Sequence, residues 1–182
     1  MARILAKENA ITRASTRENG SMATWLFKTE PTSYSFADLL AEPDRSTGWD
    51  GVRNYQARNF LRDQVQVGDE VLFYHSRGDP PAIVGLAEVI KAGHPDPTAF
   101  DPADDHHDPA SDPASPTWYQ VCIRAVRAID PPLTLPMLRT VPELSTLELL
   151  RKGSRLSVQP VTPDQWRILR GLAGLEPAAQ AP

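Results

Sequence analysis

Three short clusters in this sequence set an aromatic ring beside polar groups. Trp25 stands near Lys28, Trp49 lies just ahead of Val52, Arg53 and Asn54, and Tyr74 is followed by His75 and Ser76. A pocket that stacks a flat heterocycle and hydrogen-bonds its edge needs these residue types, and stacking of a base on an aromatic ring contributes about 1–3 kcal/mol. Asn54 suits edge recognition because its amide both donates and accepts. Each residue also has a structural reading: the tryptophans as core, Lys28 as a snorkelling amine, Asn54 as a helix N-cap.

Other chemistry finds little support. The chain has no GxSxG turn, no glycine-rich phosphate loop, no HExxH and no CxxC. The run from Asp104 through His106 and His107 to Asp108 has metal-compatible residue types, but a proline-rich segment does not supply the outer partners that hold ligands in place. No metal or cofactor is expected. Cys122, the single cysteine, falls within a strand pattern and reads as a small buried thiol. One cysteine excludes an intrachain disulfide framework and fits a reducing compartment, so the cytoplasm is the expected location.

The formal net charge of −4 argues at first against a nucleic-acid partner. However, six aspartates (Asp96, Asp101, Asp104, Asp105, Asp108 and Asp112) crowd residues 94–116, and the remainder of the chain is net positive. Arg58 and Arg62 accompany Arg53 on a helical pattern, and Arg151 and Lys152 stand near Arg155. These four flanking residues, Arg58, Arg62, Arg151 and Lys152, are candidate phosphate contacts, which would strengthen binding without reading a base.

The elements that must position these groups can be read from periodicity. A length of 182 residues suits one domain, and no apolar run is long enough to cross a bilayer, so no membrane partner is expected. Strand signals cover residues 24–29, 70–75, 82–89, 118–129 and 154–158. Helix signals cover 35–41, 54–63, 143–151 and 162–172, the last opening with Thr162, Pro163 and Asp164 as cap, first-turn proline and dipole-favoured acid. Residues 1–21 read as a disordered extension before an interior Met22, residues 94–116 as a long acidic surface loop with six prolines, and 175–182 as a flexible tail. The pattern indicates an α+β domain built on a small mixed or antiparallel barrel.

Six ordered blocks carry a family resemblance: WLFKTEP at 25–31, GWDGVRNYQARNFLRD at 48–63, VGDEVLFYHS at 67–76, IVGLAEV at 83–89, PTWYQV at 116–121 and GSRLSVQPVT at 153–162. Together they resemble the EVE domain family of the PUA-like superfamily, more distantly related to YTH and ASCH domains. The resemblance spans residues 22–174. It implies a PUA-like mixed β pseudobarrel of five to six strands with short peripheral helices, and a pocket suited to a modified or flipped-out base. By similarity the pocket is surrounded by Trp25, Lys28, Trp49, Val52, Arg53, Asn54, Tyr74, His75, Ser76, Ser154, Arg155, Leu156 and Ser157. The implied function is non-enzymatic binding of DNA or RNA carrying a modified base. The alternatives are an ASCH-like enzyme acting on a small amide or nucleoside-like substrate, with Lys28 as base and Ser76 or Tyr74 assisting, and a small-molecule sensor. Departures from the family pattern fall at Gln64, at Thr117 and in the acidic loop at His107 and Asp108.

Overall fold

The computed structural model describes residues 22–175, so the extension 1–21 and the tail beyond Leu175 lie outside the described residues. Leu175 itself, expected in the tail, is buried in the core.

Strand β1 (Thr24–Thr29) is apolar or β-branched at most positions because both its faces are covered. Trp25 and Phe27 point to one side of the sheet and Leu26 to the other, the alternation a strand imposes. Five further strands complete the sheet: β2 (Ser46–Trp49), β3 (Glu70–His75), β4 (Ala82–Pro95), β5 (Tyr119–Thr134) and β6 (Val158–Val161). Their spatial order is β2-β5-β4-β3-β1-β6. The β1–β3 pair is parallel and the remaining neighbours are antiparallel. Strands β2 and β6 are the two edges and pair with one neighbour each, so the six-stranded mixed sheet is open and not a closed barrel.

Four short helices flank the sheet: α1 (Phe36–Ala41), α2 (Tyr55–Asp63), α3 (Leu135–Arg139) and α4 (Pro163–Leu172). Helix α1 begins with a capping box of Ser35 and Asp38, and α4 with one of Thr162 and Gln165, which satisfies first-turn amides that have no intrahelical partner. One cluster of buried side chains, under α1 and α2, holds Trp25, Phe27, Phe36, Trp49 and Phe73. The opposite cluster, under α4 and the segment before β6, is rich in leucine and includes Leu72, Tyr74, Leu144, Leu147 and Leu169.

Three expectations require correction. The helix expected at 143–151 is instead two 3-10 turns, Pro142–Leu144 and Glu148–Leu150, because the buried Leu144, Leu147 and Leu149 do not keep a helical period. The strand expected at 154–158 starts only at Val158, since Ser154–Ser157 is occupied by side-chain and turn contacts. Of the surface loop expected at 94–116, residues 94–95 instead end β4 and Pro97–Phe100 form a 3-10 turn, while the rest is a chain of local turns. Asp96, Asp101, Asp104, Asp108 and Asp112 each accept a hydrogen bond from the backbone N–H two residues on.

Candidate functional site

Strand β2 and the turn after it form one wall of a cavity of about 640 Å³ beside the first core cluster. Its lining includes Lys28, Tyr34, Trp49, Asp50, Val52, Arg53, Asn54, His106 and Ser157. The volume falls in the range typical of small-ligand sites, and the wall mixes apolar and polar groups as such sites do.

Trp49 enters from the end of β2 and is 7% exposed. Its ring packs on Phe27 at 5.2 Å and, edge to face, on Phe73 at 5.4 Å, so most of it is core and a margin borders the cavity. Gly51 follows with φ of +67°, and a Cβ there would lie 2.8 Å from the His106 ring. Glycine is therefore required both by the backbone conformation and by the approach of the imidazole. Asn54 is the N-cap of α2, its Oδ1 accepting from the Ala57 N–H at 3.0 Å. This leaves its amide N–H₂ free toward the exposed side, where Asn54 borders the cavity.

Arg53 joins this wall to the acidic segment. Its guanidinium donates to Asp96 Oδ2 at 2.7 Å, to Thr98 Oγ1 at 3.0 Å and to the His106 carbonyl. Asp96 is fully buried and also accepts from the Gly51 N–H at 3.0 Å. Burial opposes ionisation of Asp96, but the hydrogen bonds from Arg53 and Thr98 outweigh it and hold the carboxyl below its ordinary pKa. His106 is thereby carried into the cavity wall. Sequence reasoning missed it; the signal available was the Asp104 to Asp108 run, read there as solvated.

Two of the charged lining residues are shifted in opposite senses. Burial pushes the Lys28 ammonium down, against the pull of Glu148. Partial desolvation and then the Asp96 charge push the Asp50 carboxyl up, while His106 and Arg53 pull it down, although the residue as a whole remains exposed. Both shifts favour the neutral forms. Tyr34, on the same wall, has a buried hydroxyl without a partner at hydrogen-bond geometry, and burial is the chief cause of its raised pKa.

The structure thus brings together Lys28, Trp49, Val52, Arg53, Asn54 and Ser157 from the sequence-derived set. The others lie elsewhere. Trp25 is core, its indole N–H donating to buried Asp69 at 2.8 Å. Tyr74 belongs to the leucine-rich cluster on the other face of the sheet, because consecutive residues of β3 point to opposite sides. His75 accepts from the Phe36 N–H at 3.1 Å and so anchors the start of α1, with burial lowering its pKa against Asp38. Ser76 donates to the Thr29 carbonyl at 3.0 Å. Leu156 is core, Ser154 donates to Glu148 at 2.6 Å, and Arg155 is exposed.

Of the expected phosphate contacts, Arg58 donates to the Thr117 carbonyl and to Asn59 Oδ1, and Arg62 pairs with Asp63 at 2.7 Å. Arg151 pairs with Glu148 at 2.8 Å on an exposed surface, where such pairs form at little cost and break as easily, and Lys152 is exposed.

The EVE domain profile matches residues 23–172, which take in every strand and helix described above. The chain belongs to the EVE domain family. Thymocyte nuclear protein 1 of Rattus norvegicus is 39% identical over 171 residues, covering 85% of this chain and 75% of that protein. Among solved structures, this EVE domain is similar to a Pseudomonas putida protein (44% identity, 83% of this chain and 99% of that chain, TM-score 0.79). It is also similar to the human THYN1 protein in complex with DNA containing 5-methylcytosine (36% identity, 85% of this chain and 99% of that chain, TM-score 0.78).

Proposed function

We propose that this EVE domain binds DNA and reads a modified base extruded into the cavity beside Trp49. The observation that carries the reading is the cavity itself: a stacking ring margin, an amide with free donors, a lysine and a carboxyl each shifted toward its neutral form, and a volume that admits a nucleobase. The human relative seen with 5-methylcytosine DNA supports DNA as the polymer and makes 5-methylcytosine the first base to test. Extruding a base costs a few kcal/mol, which stacking on Trp49 and polar contacts from Asn54 and Lys28 would offset. Arg62, Arg151 and Lys152 would meet phosphates by exchanging surface contacts for phosphate ones, and Arg58 by the guanidinium N–H groups not engaged at Thr117 and Asn59.

The enzyme alternative fits less well, because neither assistant proposed for Lys28 lines the cavity: Ser76 donates to the Thr29 carbonyl, and Tyr74, although the register partner of Lys28, is buried in the leucine-rich cluster. The deciding experiment measures affinity for duplexes carrying 5-methylcytosine, other modified bases or plain bases, over a range of salt, with matched RNA as a further arm. The expected result is tighter binding of one modified DNA and a steep fall with salt. Equal affinity for modified and plain duplexes overturns the reading, as does preference for the RNA arm.

A further inference from the structure

An aromatic group just outside the cavity has no role in the reading above. Tyr55, the first residue of α2 and the chain neighbour of Asn54, is 62% exposed. Scattered exposed rings are ordinary on protein surfaces, but this one is braced. Its centroid lies 5.0 Å from that of the buried Trp118, with the planes 31° apart. The Arg58 guanidinium lies 5.1 Å from the Tyr55 ring and 5.9 Å from the Trp118 ring. Arg58 and Trp118 are also close to each other, so the phenol rests against a contiguous pair of partners while most of the residue stays exposed.

The brace is rigid in turn. Trp118 Nε1 donates to Asp108 at 2.6 Å, the Arg53 guanidinium sits 5.3 Å from the Trp118 ring, and Arg58 is tied to the Thr117 carbonyl. A ring already braced by neighbours and still exposed loses little conformational freedom when a second ring stacks on it, and the guanidinium beside it adds positive charge where a phosphate would pass. Tyr55 directly follows Asn54, which borders the cavity, and so stands next to the cavity on the same turn of chain.

We propose that Tyr55 is a stacking platform for the base next to the one held in the cavity, with Arg58 positioned for the intervening phosphate. The proposal rests on the reading of the cavity as a base site. It assigns Tyr55 to affinity and to placement of the strand, and leaves the choice of modified base to the cavity.

The test uses the full chain and a duplex containing 5-methylcytosine with 2-aminopurine as its immediate neighbour. Binding by the wild type should quench the 2-aminopurine, Tyr55→Phe should quench it equally, and Tyr55→Ala should not. Tyr55→Ala should also weaken binding on the order of 5- to 100-fold while keeping the preference for 5-methylcytosine. An abasic neighbour should weaken the wild type by a similar factor and Tyr55→Ala hardly at all. Wild-type affinity and quenching in Tyr55→Ala overturn the platform, and loss of the 5-methylcytosine preference in that variant overturns it by placing Tyr55 in the cavity. If the wild type binds both duplexes without preference, the cavity reading fails and the platform stands or falls on the quenching. If no DNA binds, both are overturned.

Discussion

The two faces of the sheet are built from the same strands yet differ in composition and task. The face under α1 and α2 is aromatic, with Trp25, Phe27, Phe36, Trp49 and Phe73 joined through ring pairs 5.2–5.4 Å apart or through the shared core. The face under α4 is packed mainly by leucines. Trp49 and Val52 of the cavity lining belong to the aromatic face, and no lining residue belongs to the leucine cluster. Flat, stiff rings leave polar edges and gaps where they end, whereas branched aliphatic side chains interdigitate and fill space. One face thus supports, and the other supports and presents a site.

The sharpest way to break this comparison is to truncate one residue on each face. Trp49→Ala should cost about 3–5 kcal/mol of stability and also weaken binding of the modified base by about 1–3 kcal/mol. If folded Trp49→Ala protein binds normally in a titration below its melting point, Trp49 is core and nothing more. Leu72→Ala, on the leucine face, should cost about 2–5 kcal/mol with unchanged affinity of the folded fraction. A change of affinity there would mean that the faces are not separable.

Asp96 tests the junction between the aromatic face and the acidic segment. Asp96→Ala leaves Arg53, the Gly51 N–H and Thr98 without their shared acceptor and should cost on the order of 3 kcal/mol, with some loss of affinity as the cavity wall loosens. The pH dependence has a defined sign. The folded carboxyl has a lowered pKa, so the unfolded chain takes up the proton first. The stabilisation is complete above about pH 4 and is lost as pH falls further. Chemical denaturation of the wild type and Asp96→Ala at neutral and acid pH should give curves that converge at low pH. A constant gap would assign the loss to packing instead.

The smallest effect is expected at Asn54. Asn54→Ala removes the cap of α2 and should cost about 1 kcal/mol by thermal melting. If its free amide reads a base edge, the same variant also narrows the ratio of affinities for modified and plain duplexes, since a site that hydrogen-bonds an edge discriminates more than one that only stacks. Asn54→Asp separates the two roles: the cap is retained and the donor is lost.

Much of this was legible in the sequence. Strands β1 and β3 begin and end where their apolar runs do, and the starts of α2 and α4 follow from Asn54 and from Thr162 with Gln165, because a cap is a contact between residues three apart. The PUA-like α+β class followed from the ordered blocks. Strand β2 and helix α3 were not visible, since STGW and LPMLR are too short to show a period.

The acidic segment divides most clearly between what the chain determines locally and what folding adds. Its turns are local, five of its six aspartates accepting from an N–H two residues ahead, and turn chemistry of that kind is written in the order of residues. Its place is not: the Arg53–Asp96 bond joins positions 43 apart, and the Trp118–Asp108 bond and the His106 ring against Gly51 depend on where β4 and β5 carry the segment. Tyr74, His75 and Ser76 teach the same lesson in reverse, as neighbours in sequence that the strand sends to different surroundings. Periodicity and caps are short-range and survive reading along one dimension, whereas the shape of the cavity is decided by long-range pairing between segments that the sequence keeps apart.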